Sequence, residues 1–484
     1  MPESTPAPIK LVPSPPGLRE VVNEEKALAM IAGWTEQLTA HQEAHPNLEI
    51  LCNEIELTDK SYTSSAATLI AEFLTSTEIF SPCIAAGIQI ANLADIIASR
   101  MEEEGLEVLQ ILSNAFQTSR LIEVDLSDNA MGSKGVTACE MVLGGISVAT
   151  SLQKLSLCNN GLSESTMEEV AELLTSTTTS TSTRGEESQS QSCIATRLSK
   201  LHFFNNMSGN NGCTSFQKIM RMCTDQLTDV RFSGTRAGAE GSAHIASTLS
   251  ELAACGKLNH ITRLDLADNS FGACYQDLAN ALTQCSKLQY LDLHDCCLGD
   301  DGIVMVCNAL IESKASLTFL SLSGNDIGAE NANAEGSKII AALIQSLHGT
   351  LVEFHASENE MKSPGIRRIA RALQESDIVT EIILNENECG TIGADALIAM
   401  AGRVPNLKKI ELNSNYFLED VVDRLQTAFG DKLVEMEDNI DDEDADDELD
   451  ADELEEDVEE EVDVEEQADA GVDDLLGVMG NITV

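Results

Sequence analysis

The arginine in the stretch NLADIIASRMEEEG, residues 92–105, is the first residue whose setting suggests chemistry. Arg100 stands between an apolar run and three glutamates, where the leucine pattern that surrounds it is broken. Two interpretations are open. Either Arg100 is a solvated surface charge, or the irregular segment presents a permanently charged hydrogen-bond donor to a partner.

A second set of candidates lies at the ends of the predicted strands, directly before a recurring asparagine. We call it the strand-end column: Cys52, Asp128, Asn159, Asn205, Gly234, Asp268, Asp295, Gly324, Glu358, Glu386 and Ser414. Five of these eleven residues are acidic and none is basic, so the column is either ordinary solvated polarity or a rim of negative potential that orients a basic partner. In the second interpretation Asp128, Asn205, Asp268, Asp295 and Glu358 bind the partner.

Other patterns that would indicate catalysis are absent from the sequence. There is no G-x-x-x-x-G-K-[ST] loop for nucleotide phosphates, and none of the eight histidines forms an H-E-x-x-H pair. The adjacent Cys296 and Cys297 do not supply a tetrahedral metal site. We therefore expect no resident cofactor or metal.

The candidates are positioned by an internal repeat of the form apolar-x-apolar-x-x-Asn. Clear copies include VDLSDN at 124, LSLCNN at 155, LDLADN at 264 and IELNSN at 410, and the clean spacings between consecutive copies along the chain are 27 to 34 residues. With LEILCN at 48 and the looser IQIANL at 88 there are about twelve units, which is the pattern of leucine-rich repeats. Each unit predicts a short strand, a turn and a helix with apolar residues three and four apart.

Stacked units bury a continuous core that no single unit could form. We therefore predict an α/β leucine-rich-repeat solenoid of the ribonuclease-inhibitor-like horseshoe type, with a parallel β-sheet on the concave face and helices on the convex face. The repeated asparagines, among them Asn129, Asn160, Asn269 and Asn325, are expected to bond backbone groups in a ladder along the array.

The chain is expected to divide into four parts. Residues 1–17 form a disordered Pro-rich N-terminus that does not resemble a secretory signal, and residues 18–47 form a capping helix region with the single tryptophan, Trp34. Repeats occupy residues 48–434, with a low-complexity insertion at 175–191. An acidic tail that remains disordered occupies residues 435–484.

Net charge indicates which classes of partner are expected, and cysteine spacing indicates the redox state of the thiols. The formal net charge is −52; residues 435–484 contain 25 acidic side chains and no Lys or Arg, and the rest still carries 29 basic and 56 acidic groups. Nucleic acid is therefore not an expected partner, whereas a basic protein is. The fourteen cysteines are scattered and predict reduced thiols, with Cys255 and Cys285 at buried positions. No apolar run has the length of a membrane span.

The segment LADIIASRMEEEGLEVLQILSNAFQTSRLIEVDLSDNAMGSKG, residues 93–135, resembles the part of Ran GTPase-activating proteins that holds their essential arginine. LSLCNNGLSE at 155–164 is similar to the next unit of that family, and LHFFNNMSGNNG, LDLADNSFG and IELNSNYFLEDVVDRLQTAF match in order. The acidic tail is also typical of the family. The chain departs from the pattern at Ser99, where the family usually has glycine, and it contains no WPP motif.

The resemblance implies that the protein stimulates GTP hydrolysis by Ran and thereby sustains nucleocytoplasmic transport. Ran would hold GTP and magnesium, so the activator would have no independent catalytic activity and would bind Ran-GTP, alone or with a Ran-binding protein. Asn159 would lock the water-orienting glutamine of Ran, and Arg100 would insert as a finger or order the contact surface. The expected protein is a monomer in the cytoplasm, near the nucleus, that does not insert into membranes.

A non-catalytic acidic leucine-rich-repeat scaffold is the alternative. Ribonuclease inhibitors share the repeat length and the abundant cysteine, and small acidic histone-binding proteins share the tail. A multiple-turnover assay of GTP hydrolysis with Ran separates these classes, because only an activator accelerates the release of phosphate.

Overall fold

A computed structural model describes residues 8–15, 17, 19–48, 50–177, 193–328, 335–442 and 446. Most of the predicted insertion (178–191) and most of the acidic tail (443–445 and 447–484) lie outside the described residues, as do residues 1–7 and 16 of the predicted N-terminal segment.

The described chain alternates short strands with helices. Its strands are β1 Ile9–Leu11, β2 Glu20–Val22, β3 Cys52–Glu56, β4 Lys60–Tyr62, β5 Ile90–Asn92, β6 Glu123–Asp125, β7 Lys154–Ser156, β8 Lys200–Phe204, β9 Asp229–Ser233, β10 Arg263–Asp265, β11 Tyr290–Asp292, β12 Phe319–Ser321, β13 Glu353–His355, β14 Glu381–Ile383 and β15 Lys409–Glu411. Its α-helices are α1 Glu24–Ala44, α2 Ser64–Thr75, α3 Ile84–Gly87, α4 Glu102–Ala115, α5 Gly132–Ala138, α6 Glu140–Leu143, α7 Ile146–Ala149, α8 Glu164–Thr175, α9 Gly209–Met222, α10 Ala239–Ala254, α11 Tyr275–Leu282, α12 Gly299–Ser313, α13 Glu335–Ser346, α14 Lys362–Leu373, α15 Thr391–Ala401 and α16 Glu419–Phe429. Short 3₁₀ helices occupy Ile194–Arg197 and Gly430–Lys432.

The chain separates into two compact units, Met1–Cys297 with Ala309–Leu317, and Leu298–Asn308 with Thr318–Val484. In the first unit the strands follow the order β1-β3-β5-β6-β7-β8-β9-β10-β11, and the strand pairs are parallel. In the second unit β12, β13, β14 and β15 pair in sequence order, also in parallel. This is the predicted leucine-rich-repeat solenoid, in which each parallel strand is joined to the next by a helical crossover.

The core lies between strands and helices, as the repeat pattern requires. In the repeat that contains LSLCNN, the strand-side residues Leu155 and Leu157 are fully buried, and so are Val170 and Leu174 of α8. Because side chains alternate along a strand, Lys154 and Ser156 lie on the opposite face of the sheet. Burial of these aliphatic side chains stabilises each unit by contact with its neighbours.

The register predicted for the first two repeats is wrong. Ile55 of β3 pairs with Ala91 of β5, and Ala91 pairs with Val124 of β6. The true repeats are therefore IELTDK at 55–60 and ANLADI at 91–96, instead of LEILCN at 48 and IQIANL at 88. Lys60 and Ile96 occupy the ladder position in these repeats, so no asparagine marks the end of either strand.

Cys52 consequently does not belong to the strand-end column. It begins β3, where it is buried and pairs with Ile9 of β1. The column positions of the first two repeats are occupied instead by Asp59 and Asp95, which have φ values of 59° and 54°. Burial raises the pKa of the Cys52 thiol to about 11, so this cysteine stays protonated at neutral pH.

Part of the N-terminal segment predicted to be disordered is a strand. β1 adds to the edge of the first unit's sheet by pairing with β3, and Leu11 is fully buried. Trp34 of α1 is buried, donates a hydrogen bond from Nε1 to the Val12 carbonyl (2.7 Å) and packs against Phe73 of α2. The proline-rich composition led to the prediction of disorder here, although prolines at the end of an edge strand are compatible with pairing.

The first residues of the acidic tail are also ordered. The Val434 amide donates to the Ile410 carbonyl (3.0 Å) and the Ile440 amide to the Asn415 carbonyl (2.9 Å). Asp446 accepts hydrogen bonds from the Ser363 hydroxyl and from the Ile392 amide in the first turn of α15. The predicted boundary at residue 435 therefore falls too early, because these residues bond the backbone and helix ends that the last repeat leaves exposed.

All fourteen cysteines lie in the described part of the chain, and none forms a disulfide. Cys285 is buried as predicted, but Cys255 is exposed because it follows the last residue of α10. Within the described residues, no helix combines the length and the apolar character that crossing a membrane requires.

Candidate functional site

The strand-end column is held by an unusual backbone conformation. Asp128, Asn159, Asn205, Asp268 and Asp295 have φ values between 50° and 64°, and all five side chains are exposed. Asn and Asp tolerate this left-handed region better than most residues. The left-handed backbone at each column residue turns the next residue towards the core and leaves the column side chain facing solvent.

The inward residue forms the predicted asparagine ladder. Asn160 is fully buried; its Oδ1 accepts from the Asn129 amide (3.1 Å), and its Nδ2 donates to the Leu126 carbonyl (3.0 Å). The Asn160 amide in turn donates to Oδ1 of Asn206 (3.1 Å). Asn269 and Asn325 bond neighbouring carbonyls in the same way, so the structural role predicted for these asparagines is confirmed.

Asn159 lies in a continuous chain of side-chain hydrogen bonds. Its Nδ2 donates to Oδ1 of Asp128 (2.8 Å), and its Oδ1 accepts from Nδ2 of Asn205 (2.9 Å). Because the Asp128 carboxylate can only accept, it determines which way the Asn159 amide faces. One amide hydrogen and one lone pair of Asn159 remain available to a partner.

The remaining partner-binding candidates, Asp268, Asp295 and Glu358, occupy equivalent strand-end positions. Asp268 and Asp295 follow β10 and β11 in the first unit, and the Asp268 amide donates to the His294 carbonyl (2.8 Å). Glu358 follows β13 in the second unit with a φ of 54°, and its amide donates to the Asn385 carbonyl (2.9 Å). The structure thus brings Asp128, Asn159 and Asn205 together by direct bonds.

Arg100 lies at the end of the loop between β5 and α4, residues 93–101. Ser99 has a φ of 61°, a left-handed conformation that explains why glycine would also suit this position. The Arg100 side chain is only 15 % exposed; Nη1 lies 3.5 Å from Glu104 Oε2, and Nε is buried with no hydrogen-bond partner among the described residues. The guanidinium therefore lies against the first turn of α4 instead of projecting from the loop.

Two residues near this loop were missed by sequence reasoning. Arg19, whose side chain is 65 % exposed, donates from Nε to Oδ2 of Asp95 (2.8 Å) and also bonds that oxygen through Nη2. The register error concealed Asp95, since the correct repeat ANLADI places it in the strand-end column. No sequence signal links Arg19 to a residue 76 positions later.

The sheet face beside the column carries charges of both signs. Glu123 lies 3.2 Å from Lys154 and 3.5 Å from Lys200, and Arg231 lies 2.7 Å from Asp265. Two arginines also cover aromatic rings: Arg231 lies 3.7 Å from the ring centre of Phe204, and Arg263 lies 3.6 Å from that of Tyr290. Negative charge is therefore concentrated at the strand ends, while the adjacent sheet face is mixed.

Comparison with known proteins agrees with the repeat architecture. The family model described as Leucine Rich repeat matches residues 121–138, 284–307 and 313–330. RAN GTPase-activating protein 2 of Arabidopsis thaliana is 30 % identical over 133 residues, which is 27 % of this chain and 23 % of that protein. RAN GTPase-activating protein 1 of the same plant is 31 % identical over 125 residues, 25 % of this chain and 22 % of that protein.

The ribonuclease inhibitor of Sus scrofa is similar over a longer stretch but at lower identity. It is 23 % identical over 273 residues, which is 56 % of this chain and 54 % of the inhibitor. The chain thus spans less than a quarter of the two plant proteins and about half of the inhibitor. It is a leucine-rich-repeat protein with weak, partial similarity to both groups.

Proposed function

We propose that this leucine-rich-repeat protein stimulates GTP hydrolysis by the small GTPase Ran. The observation that carries the proposal is the exposed Asn159 amide, held between Asp128 and Asn205 at the end of a strand. The partial similarity to the two Arabidopsis proteins and the resemblance of residues 93–135 support the same assignment.

In this proposal the chemistry takes place on the nucleotide that Ran holds. Hydrolysis by such GTPases depends on positioning a water molecule and stabilising charge around the γ-phosphate. The free amide hydrogen and lone pair of Asn159 bond a water-orienting glutamine on Ran in the reactive position. Since Asp128 and Asn205 already fix the Asn159 amide, little side-chain freedom is lost when the complex forms.

Arg100 acts by ordering the contact surface. Its guanidinium is mostly covered and bonds Glu104, so reaching into a phosphate site would require this contact to break. In the observed position Arg100 ties the loop at residues 93–101 to α4. Removing it frees the loop that lies beside the strand-end column.

The proposed partner is Ran-GTP, alone or with a Ran-binding protein, and the proposed place of action is the cytoplasm around the nucleus. The acidic residues Asp128, Asp268, Asp295 and Glu358 supply negative potential at the strand ends, which attracts a basic surface on the partner. The activator acts as a monomer and carries no cofactor of its own.

A scaffold that binds another protein is the second candidate. The match to pig ribonuclease inhibitor over about half of that protein, together with the mixed charge of the sheet face, favours it. The test adds a catalytic amount of the full chain to an excess of Ran loaded with GTP and follows phosphate release. An activator accelerates many turnovers. A scaffold leaves the rate unchanged, and a parallel assay of pancreatic ribonuclease then tests it as an inhibitor.

A further inference from the structure

The loop that carries Arg100 contains a buried carboxylate with a single charged partner. Asp95 is 7 % exposed, and within the described residues its ion pair is with Arg19. Its Oδ2 accepts from two nitrogens of Arg19, while its Oδ1 is buried and has no hydrogen-bond partner in the part of the chain that the structure describes. A buried carboxylate with one counter-ion depends strongly on that counter-ion.

Backbone bonds connect the loop to the strands and segments on either side. The Asp95 amide donates to the Ser127 carbonyl (3.0 Å), and the Ile96 amide donates to Oδ1 of Asn129 (3.0 Å). From the other side, the Tyr62 amide donates to the Ile96 carbonyl (3.0 Å). These bonds link the backbone at Asp95 and Ile96 to the neighbouring segments. A change in the charge pairing of the Asp95 side chain therefore affects the loop that ends at Arg100.

Arg19 joins this loop to the N-terminal segment between β1 and β2. Its guanidinium also experiences the negative charges of Asp59 and Asp128, the column residues on either side of Asp95. Asp128 is the residue that orients the Asn159 amide. Arg19 therefore places one positive charge among the column carboxylates where the Arg100 loop and the Asn159 network lie in adjacent repeats.

We propose that Arg19 is a positioning residue for the Ran-directed activity, which acts through Asp95 to hold the 93–101 loop and therefore Arg100 in place. The inference rests on the proposed function. Without Arg19, the Asp95 carboxylate loses its counter-ion, and the ion pair that joins the 93–101 loop to the N-terminal segment is lost. Arg19 does not touch the nucleotide in this account; its effect reaches the reaction through Arg100.

The test measures Ran GTP hydrolysis by the full chain, by four variants and by Arg100→Ala as the reference for the fourth. Arg19→Ala should lower the stimulated rate between about tenfold and about a hundredfold, as expected when a catalytic contact is misplaced. Arg19→Ala with Asp95→Asn should recover most of the rate, since an uncharged amide needs no counter-ion and Asn tolerates a positive φ. Arg221→Ala is the matched control, because Arg221 makes a comparable exposed two-nitrogen pair with Glu251 on α9 and α10.

The fourth variant separates positioning from a general structural effect. If Arg19 acts through Arg100, Arg19→Ala added to Arg100→Ala should cause no further loss beyond twofold, because the two changes are not additive in one pathway. Hydrogen exchange of residues 93–101 should become faster in Arg19→Ala and stay unchanged in Arg221→Ala. The inference would be overturned if the two substitutions lowered the stimulated rate additively. It would also be overturned if Arg19→Ala kept the wild-type rate and the wild-type hydrogen exchange of residues 93–101.

The outcomes also separate this inference from the proposed function. If the wild-type chain does not stimulate Ran at all, the proposed function fails, and with it the assignment of Arg19 to that reaction. If the wild-type chain stimulates Ran and the Arg19→Ala variant does so equally well, the function stands and the positioning role of Arg19 fails.

Discussion

Two adjacent asparagines occupy opposite environments at the end of one strand. Asn159 has a positive φ and an exposed amide, whereas Asn160 is fully buried and bonds backbone groups of the neighbouring repeat. The repeat pattern predicted this division. The bonds from Asn159 to Asp128 and Asn205 could not be predicted, because they depend on how closely the left-handed turns of adjacent repeats approach.

The two asparagines should therefore differ in their effect on stability. Asn160→Ala leaves buried backbone groups without partners and should lower the free energy of unfolding by about 1–3 kcal/mol. Asn159→Ala removes only exposed side-chain bonds and should change the melting temperature little. Denaturant unfolding of both variants measures this; a larger loss in Asn159→Ala would contradict the assigned ladder.

Arg100 should matter for activity more than for folding. Arg100→Ala should remain folded, since the side-chain bond that it loses is a 3.5 Å contact with Glu104, and should stimulate Ran less by orders of magnitude. Arg120→Ala is the matched control, because Arg120 is an exposed arginine shortly after the end of the same helix. A rate for Arg100→Ala within twofold of wild type would make Arg100 an ordinary surface residue.

At the scale of elements, the ladder asparagine marks the strand end of most repeats. Where another residue replaces it, the register is harder to predict from the sequence. Ten units were placed correctly because an asparagine, Thr235 or Cys296 follows a clear apolar-x-apolar pair. In the first two units the ladder position holds Lys60 and Ile96, and pairing with β1 and β6 determined the register instead. Lys60 is buried and satisfied by the Pro15 carbonyl (2.8 Å), a contact that only the folded N-terminus provides.

The hydrogen bonds of residues 434–446 give a prediction about where the folded repeat region ends. Truncation after Lys432 removes the backbone bonds of Val434 and Ile440 and the contacts of Asp446 with Ser363 and α15. Each hydrogen bond contributes about 1 kcal/mol, so this truncation should lower the melting temperature measurably. Truncation after Asp446 keeps these bonds and should leave the melting temperature unchanged. Equal melting temperatures for the two truncations would show that residues 434–446 do not stabilise the last repeats.

At the scale of the whole molecule, the distribution of charge determines how partners approach. The net charge of −52 includes 17 acidic residues and no Lys or Arg in residues 447–484. These acidic residues add to the negative field of the protein. In the proposed function, that field and the acidic strand ends attract the same basic partner.

Removal of residues 447–484 should therefore slow association with Ran at low salt. The difference should shrink as salt rises, because the Debye length falls from about 30 Å at 0.01 M to about 8 Å at 0.15 M. Turnover of the bound complex should change little, since no residue of this segment is assigned to the reaction. Stopped-flow association rates across a salt series measure the effect, and equal rates at every ionic strength would leave the segment without a role in encounter.

The most direct test of the central claim is the rate of phosphate release from Ran-GTP with the Asn159→Ala variant beside wild type. We expect strong stimulation by wild type and near-complete loss in Asn159→Ala. The control is Glu386→Ala, which changes an exposed strand-end residue with the same positive φ in the second unit and should retain the wild-type rate. Equal stimulation by wild type and Asn159→Ala, or no stimulation by wild type, would contradict the account.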